Sequence, residues 1–375
     1  MRGLADLLSA LLRLFQQWAH LLTALPAWEK TVQAQPARLR EVTGFGSNPG
    51  NLRMFAYVPD QLAPSPPLVV VLHGCLQTAA GYDYGAGWST LADRYGFALL
   101  LPEQQTANNP QRCFNWFQRE DSTRDQGEAL SIRQMVEYMS QTYGVDPRRV
   151  FITGLSAGGA MTSVMLATYP EVFAGGGIIA GIPYRCAASV PEALRCMFQG
   201  HVRSAREWGD LVRAASPHRG PWPRVSVWHG TKDLTVSAVN ATEIVKQWAD
   251  VHGLSASPTH QEAVDGHPRR VWENAAGEVV IEDYLIAGMD HGTPIAISAG
   301  EQRHGVADPF LLDVGIASSY HIAKFWGVTE KQPMPALQVN GEQRAAPTPE
   351  PVPATWIQRL RTGVRRVLRQ AGLVE

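Results

Sequence analysis

A short apolar run, Val150-Phe151-Ile152-Thr153, leads straight into Gly154-Leu155-Ser156-Ala157-Gly158, and a helical pattern opens at Gly159-Ala160-Met161. Strand, G-x-S-x-G and helix in that order describe a sharp strand-to-helix elbow. Such a turn crowds the backbone, so glycines must flank the serine. The serine hydroxyl is then held out above the sheet edge, near the positive end of the helix dipole. Glycine and serine are common in loops, so the flanking strand and helix carry the reading rather than the five letters alone.

The chain supplies a sheet for that strand to join. Residues 52–58 read as an early strand. Leu68-Val69-Val70-Val71-Leu72 is a continuous apolar run of strand length, the pattern of a strand buried on both faces. Residues 97–101 make another, ended by Pro102, and residues 88–95 between them have a helical pattern. This βαβ unit favours a parallel sheet. Residues 126–143 predict a longer helix with Ile132, Met135, Val136 and Met139 as its buried stripe. Further strands are expected at Ile178-Ile179-Ala180, at 224–228 and at 278–286, the last strong one. Helices are expected at 243–251 and 319–326. Residues 186–221 fit the sheet pattern poorly and read as a helical insertion near the site.

A length of 375 residues allows one large α/β domain with extensions, or two domains. A hydrophobic share of 45% against 18% charged excludes a disordered chain, and a formal net charge of -1 argues against general nucleic-acid binding. No run of about eighteen apolar residues occurs, so no transmembrane helix is expected. Near the N-terminus, Leu4, Leu7, Leu8, Leu11, Leu12 and Phe15 fit an amphipathic helix better than a signal peptide, because Asp6 and Arg13 interrupt any apolar core. The expected division is an N-terminal helical extension (1–40), a central domain (41–330), a proline-rich linker (331–353) and a basic amphipathic tail helix (354–375). The tail carries Trp356, Leu360, Val364 and Val367 on one face, with arginines around them. It suits either weak contact with an anionic membrane surface or docking on the protein itself. Cys75, Cys113, Cys186 and Cys196 permit two disulfides, a local Cys186 to Cys196 bridge with Cys75 and Cys113 as the remaining pair, or four buried thiols.

A neutral serine is a poor nucleophile, so Ser156 needs a base, and the base needs an orienting acid. On one widespread hydrolase plan the chain order is serine, acid, histidine. His291 lies in Ala287-Gly288-Met289-Asp290-His291-Gly292, a loop after the 278–286 strand that can fold back over the serine. His304 competes for the role, and His321 sits within a helical pattern that makes it structural. Asp233 follows the 224–228 strand in His229-Gly230-Thr231-Lys232-Asp233, whereas Asp210, Asp250 and Asp265 lie in less suitable places and Asp290 adjoins the histidine too closely. The alternative for Asp233 is a plain turn residue. An oxyanion needs two backbone N–H donors. Ala157, at the helix start, is one. Cys75, in the loop His73-Gly74-Cys75-Leu76-Gln77 after the 68–72 strand, is the other, through its amide. Trp116 is the aromatic chosen for substrate contact; Trp88, Trp228, Tyr82, Tyr84 and Tyr184 are further candidates that core packing explains equally well. No metal-ligand spacing stands out, and the chemistry calls for no cofactor.

These segments, with Arg112-Cys113-Phe114-Asn115-Trp116-Phe117 and Ile182-Pro183-Tyr184-Arg185-Cys186-Ala187, resemble the esterase family of secreted polyhydroxybutyrate depolymerases and related feruloyl esterases. The similarity runs from about Leu52 to Val328. The resemblance implies an α/β-hydrolase fold, a mostly parallel central sheet flanked by helices. It also implies Ser156, Asp233 and His291 as a catalytic triad, Cys75 in the oxyanion loop, and bridged cysteines. The activity implied is serine esterase action on hydroxyalkanoate polyester or its oligomers. Alternatives are a feruloyl or acetyl-xylan esterase, a membrane-surface lipase, and a noncatalytic binding protein on the same fold. Two departures stand out. His291 is followed by Gly292-Thr293-Pro294 where relatives often carry an aromatic, and neither an export signal nor a separate polymer-binding module is evident. The expectation is therefore a soluble oligomer, a small ester or an amorphous polyester. The compartment expected from the resemblance is secreted or periplasmic, with the cytoplasm left open.

Overall fold

The computed structural model describes residues 31–33, 35, 37–297 and 304–330. Most of the N-terminal helical extension expected at 1–40, and all of the expected linker and tail helix, lie outside these residues; Arg40, the last residue of that extension, belongs to a strand. In chain order the strands and helices are β1 (Arg40–Val42), β2 (Arg53–Tyr57), β3 (Leu68–Leu72), α1 (Ala79–Ala86), α2 (Trp88–Tyr95), β4 (Ala98–Glu103), α3 (Arg119–Ser122), α4 (Gly127–Tyr143) and β5 (Val150–Leu155). Then come α5 (Ala157–Thr168), β6 (Gly175–Ile179), α6 (Val190–Gln199), α7 (Ala205–Arg213), β7 (Arg224–Gly230), α8 (Val239–Val251), β8 (His260–Val264), β9 (His267–Glu273), β10 (Val279–Ile286), β11 (Thr293–Ile295), β12 (Leu311–Asp313) and α9 (Ser318–Phe325).

Ten strands form one sheet in the order β1-β2-β4-β3-β5-β6-β7-β10-β9-β8. Its six central strands, from β4 to β10, all pair in parallel. Antiparallel strands close both edges. This is the α/β-hydrolase architecture implied by the resemblance. Alternation along β3 shows how the sheet makes two cores. Leu68, Val70 and Leu72 join the cluster that takes in α4, α5, α7 and α8. Val69 and Val71 face the opposite cluster, with Trp88 and Leu91 of α2 and Ile322 of α9. The predicted stripe of α4 is buried against the first core, and a left-handed glycine, Gly144, ends the helix.

Several elements differ from the sequence reading, the short β1 and α3 among them. β4 does not stop before Pro102 but runs through it to Glu103, pairing Met54 with Pro102. Its parallel ladder with β3 has already ended at Val70 and Leu100, so the missing proline N–H breaks no bond on that side. Helix α1 was not expected. It is buried almost all round and so shows no polar face. The β8–β9 hairpin was not expected either, and its outer strand is exposed along most of its length. Two short strands, β11 and β12, follow β10 and form a small parallel pair of their own. Residues 186–221 do form helices, α6 and α7. Disulfides join Cys75 to Cys113 and Cys186 to Cys196.

Candidate active site

Ser156 stands between β5 and α5 with φ 57° and ψ -116°. A positive φ is strained for a residue with a Cβ. Its amide donates to Ile179 O at 2.9 Å, which ties the turn to β6. The flanking glycines are a packing necessity. A Cβ on Gly158 would lie 2.4 Å from Leu72 O, and one on Gly154 would lie 2.5 Å from the Gly158 carbonyl. Helix α5 therefore begins hard against the end of β3, with its N-terminus beside the serine.

Asp233 sits in the turn after β7, and its carboxylate is fully used. Oδ1 accepts from the amides of Thr235 and Val236 at 2.9 and 2.7 Å. Oδ2 lies 2.7 Å from His291 Nδ1 and 3.3 Å from His229 Nε2. Burial opposes its ionisation, but the two imidazoles outweigh burial and hold the carboxyl well below the usual range. With Nδ1 of His291 given to Asp233, Nε2 is the nitrogen left to serve as a base. The Asp290 carboxylate accepts from the His291 amide at 2.8 Å, and the Phe310 ring stands edge-on to the imidazole, centroids 6.1 Å apart. Phe310 thus places an aromatic at the histidine, where the sequence after residue 291 lacks one.

The loop after β3 is held from behind. Gly74 N donates to Gln77 Oε1 at 2.8 Å, and Leu76 N donates to Gln111 O at 2.7 Å. His73 is fully buried. Its Nδ1 donates to Gly74 O at 2.7 Å, and its Nε2 accepts from Gln104 N at 3.1 Å. Burial pushes this imidazole down to about 4. The Cys75–Cys113 disulfide fastens the loop to the segment carrying Trp116. Among the described residues, the amides of Cys75 and Ala157 enter no hydrogen bond. Both residues line one cleft of about 590 Å³ together with Ser156, His291, Trp116 and Phe117.

The structure thus brings Ser156, His291, Cys75, Ala157 and Trp116 to one cleft and binds Asp233 behind the histidine. The competing groups are engaged elsewhere. His321 pairs with Asp265, and Asp210 and Asp250 both pair with Arg213. His304 bridges Ala296 beside Gly87. Of the other aromatics, Trp228 stacks on Tyr284, Trp88 stacks near Trp326, the Tyr82 hydroxyl meets Thr293 Oγ1, Tyr184 is buried in the core beside Arg185, and Tyr84 lines a different groove. Cys186, Cys196 and His201 bring ligand atoms within 4.8 Å of one another, but a metal would need thiolates and both sulfurs are in a disulfide. Sequence reasoning missed the supporting roles of His73, Gln77 and His229. It also missed Glu128, which accepts from Gln104 Nε2 and from Asn115 N beneath the Trp116 wall. The signal for His229 was a histidine in the penultimate position of an apolar strand, where a buried polar group requires a partner.

The family model described as Esterase PHB depolymerase matches residues 54–267. Poly(3-hydroxyalkanoate) depolymerase C of Paucimonas lemoignei is 48% identical over 291 residues, which cover 77% of this chain and 70% of that protein. Feruloyl esterase B of Talaromyces funiculosus is 33% identical over 271 residues, 70% of this chain and 75% of that one. Among solved structures, an acetyl xylan esterase from Aspergillus awamori matches 78% of this chain and all of its own, with a TM-score of 0.66 and 28% identity.

Proposed function

This chain belongs to the esterase PHB depolymerase family and is a carboxylic ester hydrolase, and on that premise we propose that it cleaves hydroxyalkanoate polyester or its oligomers through Ser156, His291 and Asp233. His291 Nε2 takes the proton of Ser156 as the hydroxyl attacks the ester carbonyl. Asp233 holds the imidazole by Nδ1 and stabilises its charged form. The amides of Cys75 and Ala157 receive the developing oxyanion, assisted by the α5 dipole. The alcohol leaves with the proton from His291. Water, activated by the same nitrogen, then releases the acid from the acyl-serine. The observation that carries this chemistry is the common cleft of Ser156 and His291, with Asp233 bonded behind and two unengaged amides beside the serine.

The apolar mouth of the cleft supports an aliphatic polyester. Val190, Leu194 and Phe198 recur every fourth residue along α6, line the cleft and stay 58, 46 and 44% exposed. A carbohydrate ester would leave that stripe facing water, whereas an aliphatic chain covers it. A feruloyl ester is the second reading, favoured by the edge-to-face pair Trp116 and Phe117 in the cleft wall. Initial rates on hydroxybutyrate oligomers, methyl ferulate and acetylated xylan separate the readings. Higher kcat/KM on the oligomers is expected, and a preference for methyl ferulate or acetylated xylan would overturn the substrate assignment. Fluorophosphonate labelling tests the chemistry itself: an adduct on Ser156 is expected, and its absence would favour a noncatalytic binding protein.

A further inference from the structure

His229 is the penultimate residue of β7 and is fully buried. Its Nε2 lies 2.8 Å from Val236 O and 3.3 Å from Asp233 Oδ2. A carbonyl and a carboxylate oxygen only accept, so the hydrogen of this ring belongs on Nε2. Nδ1 is buried and has no partner among the described residues, which agrees with that tautomer, because a second N–H would have nowhere to go. One imidazole therefore spans the turn from residue 231 to 236. It reaches the same carboxylate oxygen that holds His291, and it fixes the carbonyl of Val236, whose own amide donates to Asp233 Oδ1.

We propose that His229 is a positioning residue for the esterase reaction: its N–H sets the rotation of the Asp233 carboxylate and shares Oδ2 with His291, tuning how strongly Asp233 binds the base. The inference rests on the triad reading given above. Two amides fix Oδ1, and on Oδ2 the His291 N–H would otherwise be the single donor, so the carboxylate would follow the base whenever the imidazole moved. His229 gives Oδ2 a donor that does not belong to the base. By drawing on Oδ2, it also weakens the pull of Asp233 on the His291 N–H. The titratable groups acting on this carboxylate are His291, from the loop after β10, and His229 from β7. Asp290 accepts from the His291 amide, and the uncharged Phe310 ring covers the imidazole edge.

The test is a pH profile of kcat/KM for a soluble ester, on wild type, His229→Met and His229→Gln. Met fills the space without a donor; Gln returns an N–H near the position of Nε2. Expected for His229→Met is a fall in kcat of about tenfold, with KM changed by less than about threefold. Its acid limb should move to higher pH by about half a unit, since Asp233 then acts on His291 alone. His229→Gln should recover most of kcat and return the acid limb. An unmoved limb in His229→Met, or equal defects in Met and Gln, would overturn the proposal in favour of core packing alone. Should His229→Met fail to fold, His229→Asn replaces it, because Asn delivers its amide at the place of Nδ1; an Asn profile identical to that of Gln would again overturn it. Ser156→Ala separates the two levels. If Ser156→Ala keeps wild-type turnover, the triad reading falls. If it is inactive and His229→Met is normal, only the role of His229 falls.

Discussion

Ser156 pays about 1–3 kcal/mol for its positive φ, and the surrounding structure holds it there. The β6 carbonyl takes its amide, and two glycine positions with no room for a Cβ fix the turn on either side. On the proposed mechanism, that conformation serves to present the hydroxyl to the ester. Ser156→Ala is therefore expected to lower kcat by about a thousandfold or more while leaving thermal stability intact, as read by ester turnover and a melting curve. Asp233 makes a different prediction. Its carboxyl is held below the usual range by His291 and His229, against the effect of burial. A group depressed in the folded state stabilises the fold above its unfolded value, about pH 4, and loses that contribution as pH falls toward the folded value. In Asp233→Asn, denaturant unfolding should show a shallower loss of stability below about pH 4 than in wild type, and kcat should drop about 10³ to 10⁴-fold. The residue types and their order along the chain are what single out this set in the sequence. What no sequence shows is which other side chains crowd the acid. His229 is visible as a letter, but its bond to Val236 O depends on how the turn closes.

At the scale of the element, the loop after β3 is an assembly rather than a free turn. His73, buried and bonded through both nitrogens, links that loop to Gln104 beyond β4. Its imidazole is pushed down to about 4 by burial, so the unfolded chain takes up a proton near pH 6.5 that the folded one refuses. The stability it contributes is whole above pH 6.5 and is lost as pH falls toward 4, an expected decline on the order of 3 kcal/mol. Urea titrations at pH 7 and 4.5 should show a smaller difference for His73→Gln than for wild type. Below the same wall, Glu128 takes the Asn115 amide and the Gln104 side-chain N–H in a fully buried position. Glu128→Ala leaves both donors unpaired and is expected to cost about 2–4 kcal/mol by denaturant unfolding, with KM rising as the Trp116 segment loosens. Elements with a strong period were legible: β3, α2 and α4 lie within a residue of their expected bounds. β6 was harder, since Gly175, Gly176 and Gly177 have little β-propensity of their own and are strand because β5 and β7 pair with them on both sides, while close neighbours leave no room for a Cβ. β8 was invisible because an exposed edge strand, His260–Val264, has no buried face to write a pattern.

At the scale of the molecule, six of the seven exposed large hydrophobics among the described residues gather in one stretch of α6 and the segment after it, the turn after β7 and α8, the seventh being Ile297 after β11. Among the described residues, Val190, Leu194, Phe198 and Val202 belong to α6 and the segment after it, and Leu234 and Val239 to the turn and helix that pack against them. Ser237 N donates to Met197 O at 2.7 Å, and Val239 abuts Gly200, so the two segments form one surface. The Cys186–Cys196 bridge pins α6 from its buried side. Sequence reading placed a helical insertion near the site but could not say that its apolar face would be left open, because an amphipathic stripe looks the same whether it meets a core or a substrate. A dissolved ester small enough for the cleft reaches α6 at most, whereas a polyester surface would cover the outer residues as well. Burying an exposed valine side chain contributes about 1–2 kcal/mol. Val202 and Val239 stand outside the cleft lining, so Val202→Ser with Val239→Ser should reduce adsorption to polyhydroxybutyrate particles by about tenfold or more. Release of hydroxybutyrate from the solid should fall in step, with kcat/KM on a short soluble ester within about twofold of wild type. Equal loss on both substrates would mean that the surface stabilises the site instead of meeting a polymer, and unchanged adsorption would leave the patch without a part in polyester binding.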